Sequence, residues 1–207
     1  MYYNESKLTE LVLIMNKREI VKEKTRDLIL KTAKEIFSHN GFLTTNTLSI
    51  ARECGIAHGT LFLHFKNKET LISTIFKNEL IRIANELYRI TEESKNMENL
   101  LDSYLLFLEN DESFFVITAK EFPFYPEKLK NEILNVEVII RNFFYRMIED
   151  GINAGIYKEL DITDTIAFLF GTINYYLTHK ELIVFDGSVI NSKKESIKSI
   201  FYKLLQE

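Results

Sequence analysis

The stretch that most constrains what this chain can fold into is Thr44 to Leu71, TTNTLSIARECGIAHGTLFLHFKNKETL. It encodes two short helices around a tight turn, followed by the capped start of a third. Thr45 and Asn46 are both good N-caps, because a short side-chain oxygen can accept an orphan backbone N–H of the first turn. Behind them Ile50, Ala51 and Cys54 put an apolar stripe on one face. Gly55 ends that helix, being free to adopt positive φ. After Ile56-Ala57 a second helix begins, held to the core by Leu61 and Phe65 at i, i+4. A helix, a short turn containing glycine and a second helix make the unit that sets a helix into the major groove of DNA.

A projection at about 100° per residue shows what the second helix offers a partner. Leu61 and Phe65 define its buried side, so Gly59, Thr60 and Leu63 lie roughly opposite, with Phe62 and His64 on the flanks. An outward leucine beside a residue with no side chain suits a helix built for close approach. In a major groove, an apolar tip can rest on a thymine methyl while Thr60 bonds a base edge or a phosphate.

The segment resembles the DNA-binding domain of the TetR family of one-component repressors, whose hallmark is roughly I-A-x-x-A-G-V-S-x-G-T-L-Y-x-H-F-x-x-K-x-x-L. Here it reads Ile50-Ala51-Arg52-Glu53-Cys54-Gly55-Ile56-Ala57-His58-Gly59-Thr60-Leu61-Phe62-Leu63-His64-Phe65-Lys66-Asn67-Lys68-Glu69-Thr70-Leu71. The resemblance implies a DNA-facing set of Thr45, Asn46, Ala57, His58, Gly59, Thr60, Phe62, Leu63, His64 and Lys68. Lys68 follows its cap Asn67 and is the lysine that the family uses on the phosphate backbone; His64 is a structural or phosphate-side residue. Two positions depart from the pattern. Ala57 stands where the family has a capping serine, a loss worth about 1 kcal/mol. Phe62 stands where it has a tyrosine whose hydroxyl commonly reaches a phosphate.

Charge distribution agrees with a DNA partner once it is divided. The chain carries −4 overall. Residues 17–71 hold 10 Lys+Arg against 6 Asp+Glu, whereas residues 72–207 hold 15 against 22. A basic head therefore sits on an acidic body. Lys17, Arg18, Lys22, Lys24 and Arg26 crowd the start of the first helix. Such a run is usually a solvated face; at the head of this motif it adds phosphate contacts, whose strength falls with salt.

The remainder reads as helix throughout, with 7 Gly, 2 Pro and no Trp. We predict helices over 18–40, 68–91, 100–109, 113–121, 127–154, from 161 or 163 to 182, and 192–205, with a polar loop at 92–99. Phe122-Pro123-Phe124-Tyr125-Pro126 breaks the chain, since each proline disfavours helix for the residue before it. The resemblance implies an N-terminal extension at residues 1–16, a DNA-binding domain at 17–71 and an effector-binding and dimerisation domain at 72–207. The run Leu11–Met15 is too short to span a membrane, and no basic region precedes it to make a signal peptide. It is either a short helix docking on the body or a partner subunit, or a stretch ahead of a start at Met15. A single cysteine excludes an internal disulfide and fits a reducing cytoplasm; Cys54 itself is a core position.

Most of the 16 Phe and 10 Tyr lie after residue 100. Aromatic residues at helical spacing are usually plain core, but together they allow an apolar cavity between helices. The candidate lining is Tyr104, Phe107, Phe114, Phe122, Phe143, Met147, Phe170 and Asn174. No Arg or Lys is isolated within that set, which favours a neutral or long-chain hydrophobic effector. In the resembling family the last two long helices form a four-helix dimer interface, which implies Phe168, Tyr175, Ile197, Ile200, Phe201 and Leu204 as contacts. Dimers suit two-fold operators because half-sites lie a helical turn or a multiple apart.

Catalysis finds no support. His39, His58, His64 and His179 are scattered, with no metal spacing, P-loop or nucleophile elbow. The expectation is an all-α cytoplasmic homodimer without cofactor or metal, binding a palindromic double-stranded operator and released by a small hydrophobic effector. Two rivals remain: a carrier of apolar molecules whose head has lost DNA, and an architectural or adaptor protein without an effector.

Overall fold

The computed structural model describes residues 5–93 and 96–206, with side chains from Lys17 onward. Among them are ten α-helices: α1 (Glu5–Asn40), α2 (Thr47–Glu53), α3 (His58–His64), α4 (Lys68–Glu93), α5 (Met97–Asn110), α6 (Glu112–Glu121), α7 (Glu127–Asn153), α8 (Ile162–Thr178), α9 (Lys180–Ile183) and α10 (Val189–Gln206). A single 3-10 turn, Phe122–Phe124, separates α6 from α7 where the two prolines were expected to break the chain. No strand occurs among the described residues.

α1, α2 and α3 pack around Ile29, Ala33, Phe37, Ile50, Ala51, Leu61 and Phe65, all essentially inaccessible. Leu71, Ile75, Leu80, Ile83 and Leu87 form the inner face of α4, as their spacing predicted. α4 packs on α7 and α5 and also on α1, so it joins head and body. Deep in the body, Gly151 on α7 lets the Tyr157 ring lie against its backbone; a Cβ there would overlap the ring.

Several boundaries differ from expectation. α1 begins at Glu5 rather than Arg18; the packing of the Leu11–Met15 side chains lies outside the described residues. α5 starts at Met97, inside the expected loop, because the Asn96 side chain accepts the N–H of Glu98 at 2.7 Å. The helix expected to reach Leu182 stops at Thr178, where His179 leaves helical geometry. α10 starts three residues early because Ser188 caps it, its hydroxyl oxygen accepting the Asn191 N–H at 2.9 Å, and because Glu112 of α6, itself buried, accepts the N–H groups of Val189 (3.1 Å) and Ile190 (3.0 Å). That carboxylate also takes the Ser188 hydroxyl and pairs with Lys180 at 2.7 Å. Burial would raise the Glu112 carboxyl, but the bonds from Lys180, Ser188, Ile190 and Val189 outweigh it and hold it below the usual range.

Candidate nucleic-acid interface and the cavity behind it

Local chemistry explains the shape of the α2–α3 unit. Asn46 caps α2, its side chain accepting the Ser49 N–H at 2.8 Å. Gly55 has φ 66°, and two reverse bonds close the helix end: Gly55 N–H to Arg52 O and Ile56 N–H to Ala51 O, both 3.0 Å. This Schellman pair satisfies carbonyls that a helix end leaves open. Ala57 begins α3 with no side-chain cap bond. His58 offsets part of that loss: its Nε2 lies 2.9 Å from Thr47 Oγ1, tying the first turns of the two helices together, and its ring packs on Phe62. On the outer face Leu63 is 82% exposed and Phe62 44%, with Gly59 open beside them and Thr60 half-buried. The projection placed these side chains correctly.

Three further residues expected at DNA also make bonds within the protein. Thr45 is buried and its hydroxyl donates to Gly41 O at 2.6 Å. Lys68 donates to Phe42 O (2.8 Å), Leu43 O (3.3 Å) and Thr45 O (2.9 Å), with its ammonium over the Phe42 ring. The α1–α2 loop leaves those carbonyls without helical partners, and a cation at the start of α4 supplies the missing donors. Arg26, one of the basic cluster, donates to His64 O at 3.1 Å and stacks over Phe65. Lys17, Arg18, Lys22 and Lys24 remain exposed.

The head is fastened to the body at two places. Lys34 of α1 and Arg82 of α4 share Glu79 and Asp111, at 2.8 and 2.9 Å respectively. At the end of α6, Glu121 accepts the N–H groups of Phe42 (2.8 Å) and Leu43 (3.2 Å) from the α1–α2 loop. Phe42 is wedged edge-on between Phe37 and Tyr125, each ring centroid 5.4 Å away.

Immediately beyond Glu121, Phe122 and Pro123 line a cavity of about 450 Å³. Phe76 and Leu80 of α4, Tyr104 and Phe107 of α5, Thr118 of α6, Ile133 and Ile140 of α7, and Phe170 and Asn174 of α8 supply other parts of its wall. Five of the expected lining residues are therefore brought together: Tyr104, Phe107, Phe122, Phe170 and Asn174. Phe114, Phe143 and Met147 are not among the lining residues. Phe114 stacks on Phe76 and Phe115 below Lys34, while Phe143 and Met147 pack into the core of the body. The expectation of a wall without a cation fails as well. Arg141 lines the cavity, its guanidinium 4.5 Å from the Phe170 centroid and its Nε donating to Glu137 at 2.9 Å. An i, i+4 pair on an amphipathic helix reads as an ordinary surface pair, and only the packing of α8 turns it inward.

Of the expected dimer contacts, Phe168, Tyr175 and Ile200 are exposed at 54%, 54% and 44%, and Leu204 is half-buried. Ile197 and Phe201 are corrected to monomer core, at 3% and 1%. They share a stripe with Leu205 facing the body, whereas Ile200 and Leu204 occupy the neighbouring stripe of α10. Leu182 and Phe185, flanking the end of α9, are also bare. Among the described residues no helix is long and apolar enough to cross a membrane, and no group of three or more His, Cys, Asp or Glu could hold a metal ion.

Comparison with known proteins places this geometry. Residues 29–75 match the family of bacterial regulatory proteins, tetR family. The fatty acid metabolism regulator protein of Bacillus subtilis is 27% identical over 155 residues, covering 72% of this chain and 80% of its own. The HTH-type transcriptional regulator UidR of Escherichia coli is 42% identical over 62 residues, 30% of this chain and 32% of its own. Among solved structures, FadR from Bacillus subtilis in complex with stearoyl-CoA superposes with a TM-score of 0.74 at 23% identity, covering 86% of this chain and 98% of that one.

Proposed function

We propose that this chain is a transcriptional regulator of the TetR family, a repressor released from a palindromic operator by a long-chain acyl effector. Residues 17–71 act as the reading head and residues 72–207 as the effector and dimerisation body, working in the cytoplasm. α3 enters the major groove with Thr60, Phe62 and Leu63 leading, while the exposed cations at the start of α1 hold the flanking phosphates. Two copies associate through the exposed faces of α8 and α10, around Phe168, Tyr175 and Ile200. The acyl effector is carried over from the similar regulator solved with stearoyl-CoA, and a cavity of about 450 Å³ lies in the range of small-molecule pockets.

The observation that carries this reading is the shared segment between cavity and head. Glu121 bonds the α1–α2 loop, and the next two residues form part of the cavity wall. A ligand pressing on Phe122 and Pro123 shifts the carboxylate that positions the head. Only a ligand that binds the undocked arrangement more tightly can release DNA this way. The test is fluorescence anisotropy of a palindromic fragment, selected from genomic DNA by the purified protein, titrated with and without a long-chain acyl ligand. Release reads as a loss of affinity of about tenfold or more. A ligand that binds without changing DNA affinity would refute effector release, and a protein that holds the ligand but no specific DNA would point to the carrier.

A further inference from the structure

The cavity wall is apolar except for a few groups, and these have an unequal supply of partners. The Tyr104 side chain is 7% exposed, its ring set between Phe144 (5.7 Å) and Phe170 (5.3 Å). Its hydroxyl makes no hydrogen bond to another described residue, and because Tyr104 lines the cavity this donor is available to a ligand there. Burial, with the nearby Glu137 charge, pushes its ionisation well above the ordinary range, so it remains a neutral donor. Arg141 lies over the same Phe170 ring, and its Nε and Nη2 both donate to Glu137 Oε1. Arg141 and Glu137 are each about one-third exposed, which puts the pair at the edge of the cavity.

We propose that the cavity selects its ligand by the polar group on an apolar chain, taking a neutral acyl carbonyl, as in an ester or thioester, and refusing the free carboxylate. This rests on the reading of the cavity as the effector site and names what that site recognises. A carbonyl oxygen can accept from the Tyr104 hydroxyl and from a guanidinium N–H that Glu137 leaves unused, and it brings no charge with it. A carboxylate meets a guanidinium already neutralised by Glu137, so it adds an unbalanced negative charge beside an existing one in an apolar enclosure. A plain hydrocarbon leaves Tyr104 as it is. Tyr104 and Glu137 are thus specificity-determining residues, the first by attraction and the second by exclusion.

The experiment is isothermal titration calorimetry of the full chain at pH 8. The two probes are S-palmitoyl-N-acetylcysteamine, a neutral thioester, and sodium palmitate, each below its aggregation limit. The thioester is expected to bind wild type at least about tenfold more tightly, in keeping with the penalty for an unpaired buried charge. E137Q should narrow the gap to about threefold by tightening palmitate, because Arg141 is then free to meet it. Y104F should weaken the thioester about fivefold, the size of one hydrogen bond, and leave palmitate unchanged. Palmitate binding wild type as tightly as the thioester overturns the inference while leaving the cavity as an effector site. The same holds if E137Q leaves the affinity for palmitate unaltered. Binding of neither probe overturns both readings.

Discussion

The two ends of α6 do the same kind of work under different conditions. At its start, Glu112 accepts two backbone N–H groups from the first turn of α10; at its end, Glu121 accepts two from the α1–α2 loop. Glu112 is buried, is paired with Lys180 and also holds the Ser188 hydroxyl. Glu121 is half-buried, has no cation paired with it among the described residues, and its further side-chain partner is the Tyr125 hydroxyl at 3.5 Å. One end is an anchor, over-determined by its bonds. On the proposed mechanism the other is a joint, strong enough to set the head and weak enough to let go. Regulators need both, because a shift at a ligand site moves a distant element only if something else in the body stays fixed.

Substitutions at the two glutamates should separate these roles. E112A strips a buried ion pair and two amide bonds at once, and should cost about 3 kcal/mol, or roughly 10 °C in thermal melting. The factor by which a ligand weakens DNA binding should survive in whatever fraction stays folded, and a melting temperature within a degree of wild type would remove the anchor. The same residue sets an acid limb. Because its carboxyl is held below the usual range in the folded protein, its contribution is complete above the unfolded carboxylate range of about 4.3 and fades as pH falls through the lower folded value. E112Q should flatten that limb in a pH series of melts, and an unchanged acid limb would show that other carboxylates control it. E121A should cost only about 1.5 kcal/mol, as suits half-exposed bonds to a charged acceptor, yet shrink the ligand's effect on DNA affinity at least threefold. Full coupling in that variant would move the joint elsewhere. The smallest effect belongs to the head alone: A57S restores the missing cap of α3 and should stabilise it by about 1 kcal/mol. A melting temperature of the full chain unmoved by the serine would show that the Thr47–His58 tie already offsets the missing cap.

What could be read from the sequence follows the range of the interactions. Asn46, Gly55, Leu61 and Phe65 act on neighbours a few residues away, so the α2–α3 unit and its outward face at Leu63 were legible. The intramolecular bonds of Lys68 were not legible, because its three carbonyls sit 23 to 26 residues back, in a loop with no pattern of its own. The start of α10 is only half legible: Ser188 is a local cap for the Asn191 N–H, but the acceptor for the Val189 and Ile190 N–H groups is Glu112, more than 75 residues away. Cavity aromatics were half legible: an apolar stripe marks Tyr104 and Phe107 as inward, but whether a ring meets another ring, as Phe114 does, or open space depends on how helices cross. The same ambiguity put Ile197 and Phe201 on the partner-facing side of α10, since two adjacent apolar stripes look alike until one is packed.

The Glu121 contact also leaves an isotopic trace. The amides of Phe42 and Leu43 lie in a loop whose N–H groups would otherwise trade protons with water almost as fast as those of an unfolded chain, and Leu43 is itself exposed. Bonded to a carboxylate, each can take up a deuteron only during an excursion that lifts the loop off α6. Their uptake in heavy water therefore counts how often the α1–α2 loop parts from the end of α6 of its own accord, with nothing bound.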